Sequence, residues 1–250
     1  PYFMPYLGYF QIIAAVDKYI LYDQVAYIVK GYVNRNRIRP RNCSPLNIVV
    51  PITNKSSFEL IADTQIDYSQ PWNTKLLKTI RNAYSRAPYF IDVMPILEDI
   101  LSPCYESISA LNIASIRSLC QYMGITTEVE ESPTYSCEME VSLTRVPKGD
   151  YSFYPELAKT QPERKVARVL EMCKREGADT YINPIGGMEL YKKEEFEQYG
   201  INLEFHKMNT ILYNQDSKDG SFEPYMSIID VLMYNGADGT KKLLNEYTLI

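Results

Sequence analysis

The sequence predicts an α/β fold with a partly parallel sheet, flanking helices and a helical insertion in its middle. Three observations carry this. Residues 166–205 run helix, strand, helix, strand, an order that brings successive strands side by side in parallel. Residues 72–123 hold three apolar stripes at helical spacing. Over 250 residues, 46% hydrophobic and 23% charged side chains describe a folded core and rule out a disordered chain.

Taken in order, the chain opens on an aromatic segment, PYFMPYLGYFQ, which reads as the loop following an opening strand that precedes Pro1. Ile12 to Val16 reads as a short helix, and Lys18 to Asp23 as a strand closed by a carboxylate. Residues 32–52 are extended, with Leu46 to Ile52 expected to be a buried strand, and Phe58 to Asp67 alternates as a further strand. Leu76, Leu77, Ile80, Ala83 and Tyr84 stripe a helix that starts near Trp72 and stops before Pro88. Val93, Leu97, Ile100 and Leu101 stripe a second; Ile116, Leu119, Cys120 and Met123 stripe a third, capped by Gly124. Residues 130–160 have no period and read as a long, lid-like loop. A helix through Val166 and Cys173 closes at Gly177; a strand at Thr180 to Ile182, the turn Asn183 to Gly187, a charged helix to Gly200 and a strand through Leu203 and Phe205 follow. Ser227 and Asp230 have capping-box spacing before the apolar run Ile228 to Met233, which makes Asp230 a helix cap. The whole, residues 1–250, is expected to be one domain.

Composition narrows the chemistry. A single histidine, His206, excludes a His-rich metal site or a multi-histidine acid–base site within one chain. Its alternation with Asn202 and Glu204 predicts a solvent-side position. Five cysteines without a CxxC pair indicate reduced thiols and a cytoplasmic setting, and none has a histidine partner that would make it a nucleophile. No apolar run reaches the 18 residues of a bilayer span, and no signal-peptide pattern is present. The net charge of −5 conceals a gradient: residues 1–50 carry +4 and the remaining 200 carry −9. An anionic ligand near the N-terminal segment fits this gradient, whereas a long nucleic-acid footprint does not.

Each candidate motif has two readings. If Tyr32 to Arg41 is extended, Arg35, Arg37, Arg39 and Arg41 share one side and Asn34 and Asn36 the other, with guanidinium groups rooted about 7 Å apart. Such forks suit phosphate or carboxylate, but they equally protect an edge strand from aggregation. The charge gradient favours the anion site. Asn183 to Gly187 lies at a strand-to-helix junction where α/β sheets gather ligands, and is also an ordinary tight turn. The aromatic loop Pro1 to Gln11 stacks a base or sugar face, or plugs the core. Asp23 orients a hydroxyl, acts as a base, or caps a strand. Lys75, Lys78 and Asn82 share one helix face, which by default is solvated.

PYFMPYLGYFQ, the strand ending in Tyr22-Asp23, VNRNRI, WNTKLLKTI with AYSRAPYF, INPIGGMELY and SIIDVLMYNG together resemble the WbqC-like family, in the same order along essentially the whole chain. The resemblance implies a role in bacterial surface-polysaccharide biosynthesis, particularly of O-antigen, on or near a nucleotide-linked sugar. Acyl or aminoacyl transfer to an amino sugar is compatible with it. The matching positions are Tyr2, Pro5, Gly8, Tyr9, Gln11, Asp23, Asn34, Arg35, Asn36, Arg37, Lys75, Asn183, Gly186, Gly187, Glu189 and Tyr191. The chain departs from the family pattern at Asp23-Gln24-Val25-Ala26-Tyr27, at Val29-Lys30 and at Lys75-Leu76-Leu77, where a second carboxylate, a glutamine, a cation and a histidine are absent. A fainter similarity joins the opening to nucleotidyltransferases, with Tyr6 and Tyr9 standing where those enzymes place histidines. A phenol with a pKa of about 10 does not replace imidazolium as a ready cation.

The expectation is therefore a transferase acting on a nucleotide-linked amino sugar or other small anionic substrate, with no cofactor identified. Asp23 and Lys75 are its candidate catalytic residues, and Tyr2, Tyr6, Gly8, Gln11, Asn34, Arg35, Asn36, Arg37, Asn183, Gly186, Gly187, Glu189 and Tyr191 its candidate binding residues. The alternatives are a non-catalytic binding or scaffold protein of the same pathway, which the missing carboxylate and histidine favour, and a nucleotidyltransferase-like enzyme.

Overall fold

The computed structural model describes residues 1–54, 59–133, 161–217 and 220–250. Of the expected loop over 130–160, residues 134–160 lie outside the described residues, as does Phe58. The protein is a mixed α/β structure whose chain forms two compact units: Pro1–Glu131 with Thr210–Glu246, and Ser132–Asn209 with Tyr247–Ile250.

In the first unit, helix α1 spans Leu7–Ala14, about a turn earlier than Ile12 to Val16 suggested. It starts there because Leu7, Phe10 and Ile13 fall on one buried side. Strand β1 (Lys18–Leu21) pairs in parallel with β4 (Glu128–Glu131), Lys18 opposite Glu128. Strand β2 (Arg35–Ile38) pairs antiparallel with β3 (Leu46–Val49), placing Asn36 opposite Ile48. β3 is not the buried strand its apolar run suggested: Leu46, Asn47 and Val49 are exposed, while Ile48, Val50 and Ile52 are buried. One face of the ribbon is covered, so burial alternates. The segment 59–67 is not a strand either; it joins its neighbours through single bridges, Ala26 to Leu60, Ile52 to Ile66 and Gln65 to Ser107.

The three middle helices form where their stripes predicted: α2 at Trp72–Tyr84, α3 at Phe90–Leu101 and α4 at Ile108–Met123. Gly124, in the left-handed conformation at φ 69°, closes α4, and Ser107 caps its start by accepting from the Ala110 N–H. Helix α5, within the second unit, spans Gln161–Glu176. The later helix of the first unit, α7 (Ile228–Leu243), supplies Leu232 and Met233 to a core with Ile80, Leu97, Leu101, Ile116 and Leu119, all fully buried. Burial of each such side chain contributes roughly 1.5–3 kcal/mol.

The second unit is a three-stranded sheet in the order β5 (Thr180–Pro184), β6 (Asn202–Met208), β7 (Tyr247–Leu249). β5 and β6 are parallel; β6 and β7 are antiparallel. A 3₁₀ turn at Ile185–Glu189 and helix α6 (Lys193–Glu197) link the parallel pair. Phe196, Leu203, Phe205 and, from α5, Val166, Leu170 and Cys173 make its core, with Tyr181 stacked on Phe196 at 5.8 Å.

His206 is not on a solvent face. It is 2% exposed, and the Tyr247 ring lies 4.9 Å from its imidazole. β6 is the central strand of its sheet, and a central strand with cover on both faces breaks the in–out alternation that its sequence displays. Among the described residues no helix is long and apolar enough to cross a membrane.

Candidate functional site

The N-terminal loop does two things at once. Phe3, Met4 and Pro5 are buried, while Tyr2, Tyr6 and Tyr9 stay partly exposed. The rings form two sets: Tyr2 lies 5.9 Å from Tyr9 and 6.4 Å from Tyr32, with Tyr9 5.6 Å from Tyr19, and separately Tyr6 lies 6.1 Å from Tyr225. Their planes are tilted or edge-to-face, so neither set is a flat platform; the rings, gathered by the loop that leads into α1, are termed the tyrosine cup. The Tyr19 and Tyr9 hydroxyls are hydrogen-bonded. Burial raises the pKa of Tyr2, Tyr6, Tyr9 and Tyr19 above the usual phenol value, so all four are neutral at physiological pH.

Gly8 makes this arrangement possible. A β-carbon there would stand 2.4 Å from Cε2 of Tyr6, inside the ring's van der Waals surface. Tyr6 therefore folds back over the first turn of α1, which it precedes as an N-cap without a side-chain cap bond, and that turn contains no acidic residue.

Backbone and side-chain hydrogen bonds clamp the loop from below. The Asn36 amide donates to the carbonyls of Phe3 (3.0 Å) and Met4 (2.7 Å), and its oxygen accepts from the Arg37 N–H at 2.8 Å. The Asn34 amide donates to the Val50 carbonyl and its oxygen accepts from the Tyr27 hydroxyl, both at 2.8 Å. Ser227, the cap of α7, donates its hydroxyl to the Met4 carbonyl at 2.8 Å and its N–H to the Arg37 carbonyl at 2.9 Å, and it bridges to Tyr6. Gln11, fully buried, donates to the carbonyls of Leu243 (2.8 Å) and Glu246 (3.0 Å).

The predicted period of two holds through β2: Asn34, Asn36 and Ile38 are buried, whereas Arg35 and Arg37 are half-buried on the other side. The four arginines nonetheless part company. Arg35 donates to the carbonyls of Lys30 and Gly31, fastening the turn before the strand. Arg39 breaks the alternation; it is 5% exposed and donates to Gln215 and Ser221. Arg41 pairs with Asp216 at 2.6 Å. Among the described residues the Arg37 guanidinium has no hydrogen-bond or ion-pair partner, and its backbone is one hydrogen bond from the segment that bridges to Tyr6.

Asp23 is 8% exposed and accepts from the Ser109 hydroxyl at 2.5 Å. One turn along α4, Asn112 donates to the carbonyls of Pro1 (3.2 Å) and Val33 (2.8 Å). One face of α4 thus organises Asp23, the start of the aromatic loop and the approach to β2. Lys75, by contrast, is exposed on α2.

The remaining predicted positions belong to the second unit. Asn183, 8% exposed, is the penultimate residue of β5, opposite Phe205 and so in the strand and not in the turn expected of it, and its side-chain amide packs where a β-carbon on Gly187 would sit, 2.8 Å away. Gly186 borders open space and Glu189 is exposed. Tyr191 packs edge-on against Tyr181 and Phe196, and burial raises its pKa.

Sequence reasoning missed Tyr19, Tyr32 and Tyr225 as neighbours of the loop; nothing local to them signals a contact made across 10 to 220 residues. It also missed Ser109 and Asn112. Their signal was present, since polar residues at i and i+3 interrupt the apolar stripe of α4. Asp230 is a correction: Ser227 alone caps α7, accepting from the Ile229 N–H. Asp230 is fully buried and accepts hydrogen bonds from Tyr84 (2.6 Å), Tyr213 (2.7 Å) and Gln215 (2.9 Å). Two of the thiols are unsuited to nucleophilic work: burial pushes Cys120 up to about 12 and Cys173 to about 11.

Comparison with known proteins gives one relationship at family level. The model of the WbqC-like protein family matches residues 1–242. The chain is 28% identical over 240 residues to "Uncharacterized protein Rv1507c" of Mycobacterium tuberculosis, a similarity that covers 94% of this chain and 91% of that protein. No solved structure matches. With the match running through every element of the tyrosine cup and of the β5–β6 turn, the chain belongs to the WbqC-like protein family.

Proposed function

We propose that the protein is a transferase of bacterial surface-polysaccharide assembly that binds a nucleotide-linked amino sugar at the tyrosine cup. The observation that carries this reading is the cup itself: half-buried neutral phenols held around the start of α1, with the guanidinium of Arg37, unpaired among the described residues, on the adjoining strand. Phenol rings pack against the apolar face of a sugar and their hydroxyls pair with its hydroxyls. Arg37 supplies paired donors for a phosphate. Asn34, Asn36, Gln11 and Arg35 act through the backbone they hold. In the second unit, the segment Asn183–Gly187 at the carboxyl end of a parallel strand is a candidate ligand loop in its own right.

Catalysis in this reading rests on positioning, with Asp23 accepting a proton from the amine or hydroxyl as it bonds to the carbonyl of an acyl donor, and that proton leaving with the donor's carrier group as the acyl–carrier bond breaks. Ser109 orients the carboxylate. Calorimetric titration with a panel of nucleotide sugars tests the binding; no heat from any member, with the fold intact, rejects it. Asp23→Asn should then abolish turnover of an acyl donor while leaving sugar binding in place.

A specific observation supports a second reading, a non-catalytic binding protein of the same pathway. Asp23 is almost wholly buried and already engaged by Ser109, and Lys75 stands on a solvated helix face. Sugar binding that persists while no donor is turned over would favour it.

A further inference from the structure

Tyr225 has a φ of 58°, in the left-handed region where a β-carbon crowds the following carbonyl and bulky side chains are rare. The conformation is imposed from both sides. Two residues before it, Glu223 is held by Gln215, through the Gln215 amide to the Glu223 carbonyl at 3.0 Å and the Glu223 N–H to the Gln215 oxygen at 2.9 Å. Two residues after it, Ser227 is fully buried and fastened to Arg37 and Met4.

Met4 shows how such strain is ordinarily offset. Its φ is 42°, but its side chain is fully buried and its carbonyl accepts from both Asn36 and Ser227. Among the described residues Tyr225 has no comparable compensation. Its side chain is 62% exposed, and the ring's aromatic neighbour is Tyr6, edge-to-face at 6.1 Å. Glycine would occupy this φ without strain. The fold alone gives no reason for a large ring at this place, and strained residues of this kind gather at ligand clamps.

We propose that Tyr225 is a ligand-binding residue of the tyrosine cup, its exposed ring contacting the hexopyranose ring of the substrate alongside Tyr6. The proposal rests on the reading of the cup given above and adds which moiety it grips: the uncharged sugar, not the nucleotide. The edge-to-face wedge between the two phenols offers one ring face and one ring edge to a puckered, hydroxyl-bearing ring.

The test compares wild type, Tyr225→Gly and Tyr225→Phe by thermal unfolding and by titration with UDP-N-acetylglucosamine, dTDP-glucose and the free nucleotides UDP and dTDP. The glycine variant should unfold at the same or a higher temperature. Its affinity for the nucleotide sugar that wild type binds should fall about tenfold or more, with affinity for the free nucleotide unchanged, and the phenylalanine variant should retain most of the binding. A glycine variant that unfolds several degrees lower shows the ring to be structural, and one that binds like wild type shows it to be idle; either overturns the proposal while the cup stands. Equal loss of free-nucleotide binding overturns the assignment to the sugar. Absence of binding to all four probes in wild type overturns the reading of the cup, and this proposal with it.

Discussion

At Gly8 a single methyl group decides where Tyr6 stands. Alanine near the start of a helix ordinarily stabilises by about 0.5–1 kcal/mol relative to glycine. Here the added β-carbon would meet the Tyr6 ring at 2.4 Å, so Gly8→Ala should reverse that sign, lowering stability by about 1–2 kcal/mol and displacing the ring. Chemical denaturation measures the first effect, and loss of nucleotide-sugar binding the second; a more stable variant that binds normally would contradict the geometry. Arg37 gives the complementary case. Because its guanidinium has no partner among the described residues, Arg37→Ala should leave the denaturation midpoint within experimental error while weakening binding of the phosphate-bearing ligand about tenfold. Such an outcome separates it from Arg35, whose bonds to the carbonyls of Lys30 and Gly31 make Arg35→Ala costly to the fold. At this scale the sequence was legible in residue type and side. It placed Arg37 and Asn36 on opposite faces of one strand, as a two-residue period requires. It could not separate Arg37 from Arg39, because burial of Arg39 depends on Gln215 and Ser221, more than 170 residues away.

Among the elements, α7 and the irregular chain that precedes it are fixed by one buried carboxylate. Asp230 gathers Tyr84 from α2 with Tyr213 and Gln215 from the connecting segment, and Gln215 in turn holds Arg39. Burial raises the Asp230 pKa, against the opposing pull of those hydrogen bonds and of Arg39. Asp230→Ala would leave the Tyr84 and Tyr213 hydroxyls without their acceptor and remove one of those of the Gln215 amide, and should cost about 3–5 kcal/mol in unfolding free energy. An effect below 1 kcal/mol would mean that the network is dispensable. The capping-box spacing was a sound reason to expect a helix start at Ser227, and the helix does start there. The role given to Asp230 was not, because a carboxylate at the third helical position can turn either back to the cap or inward to other elements. Three-dimensional neighbours decide which. The α2, α3 and α4 stripes were legible for the converse reason: a long periodic face needs only some apolar surface to bury against, whatever its identity. β3 was misread as buried because an apolar run does not say how many faces its sheet will cover.

For the molecule as a whole, pH reports on the second unit. Burial lowers the pKa of His206 below its usual value, so the native state binds a proton less readily than the unfolded chain does. The molecule should keep full stability above about pH 6.5 and lose it as pH falls through that value towards the depressed folded pKa. Urea midpoints measured at about pH 7.5 and about pH 5.5 should therefore differ more in wild type than in His206→Leu, which has no imidazole to charge. Equal slopes in the two proteins would show that His206 does not set the acid limb. What the sequence by itself determined was whatever follows from local period and order: the α/β class, the helices of the middle, the parallel β5–β6 pair and, through motifs kept in series, the family. Tertiary structure decided burial and convergence. It put His206 inside, turned Asp230 into a node, set Arg35, Arg39 and Arg41 to structural pairs, and drew Tyr19, Tyr32 and Tyr225 to the loop at Tyr2 and Tyr6. The physical reason is that period sets the direction in which a side chain leaves its own element, whereas the groups that meet it there come from distant parts of the chain.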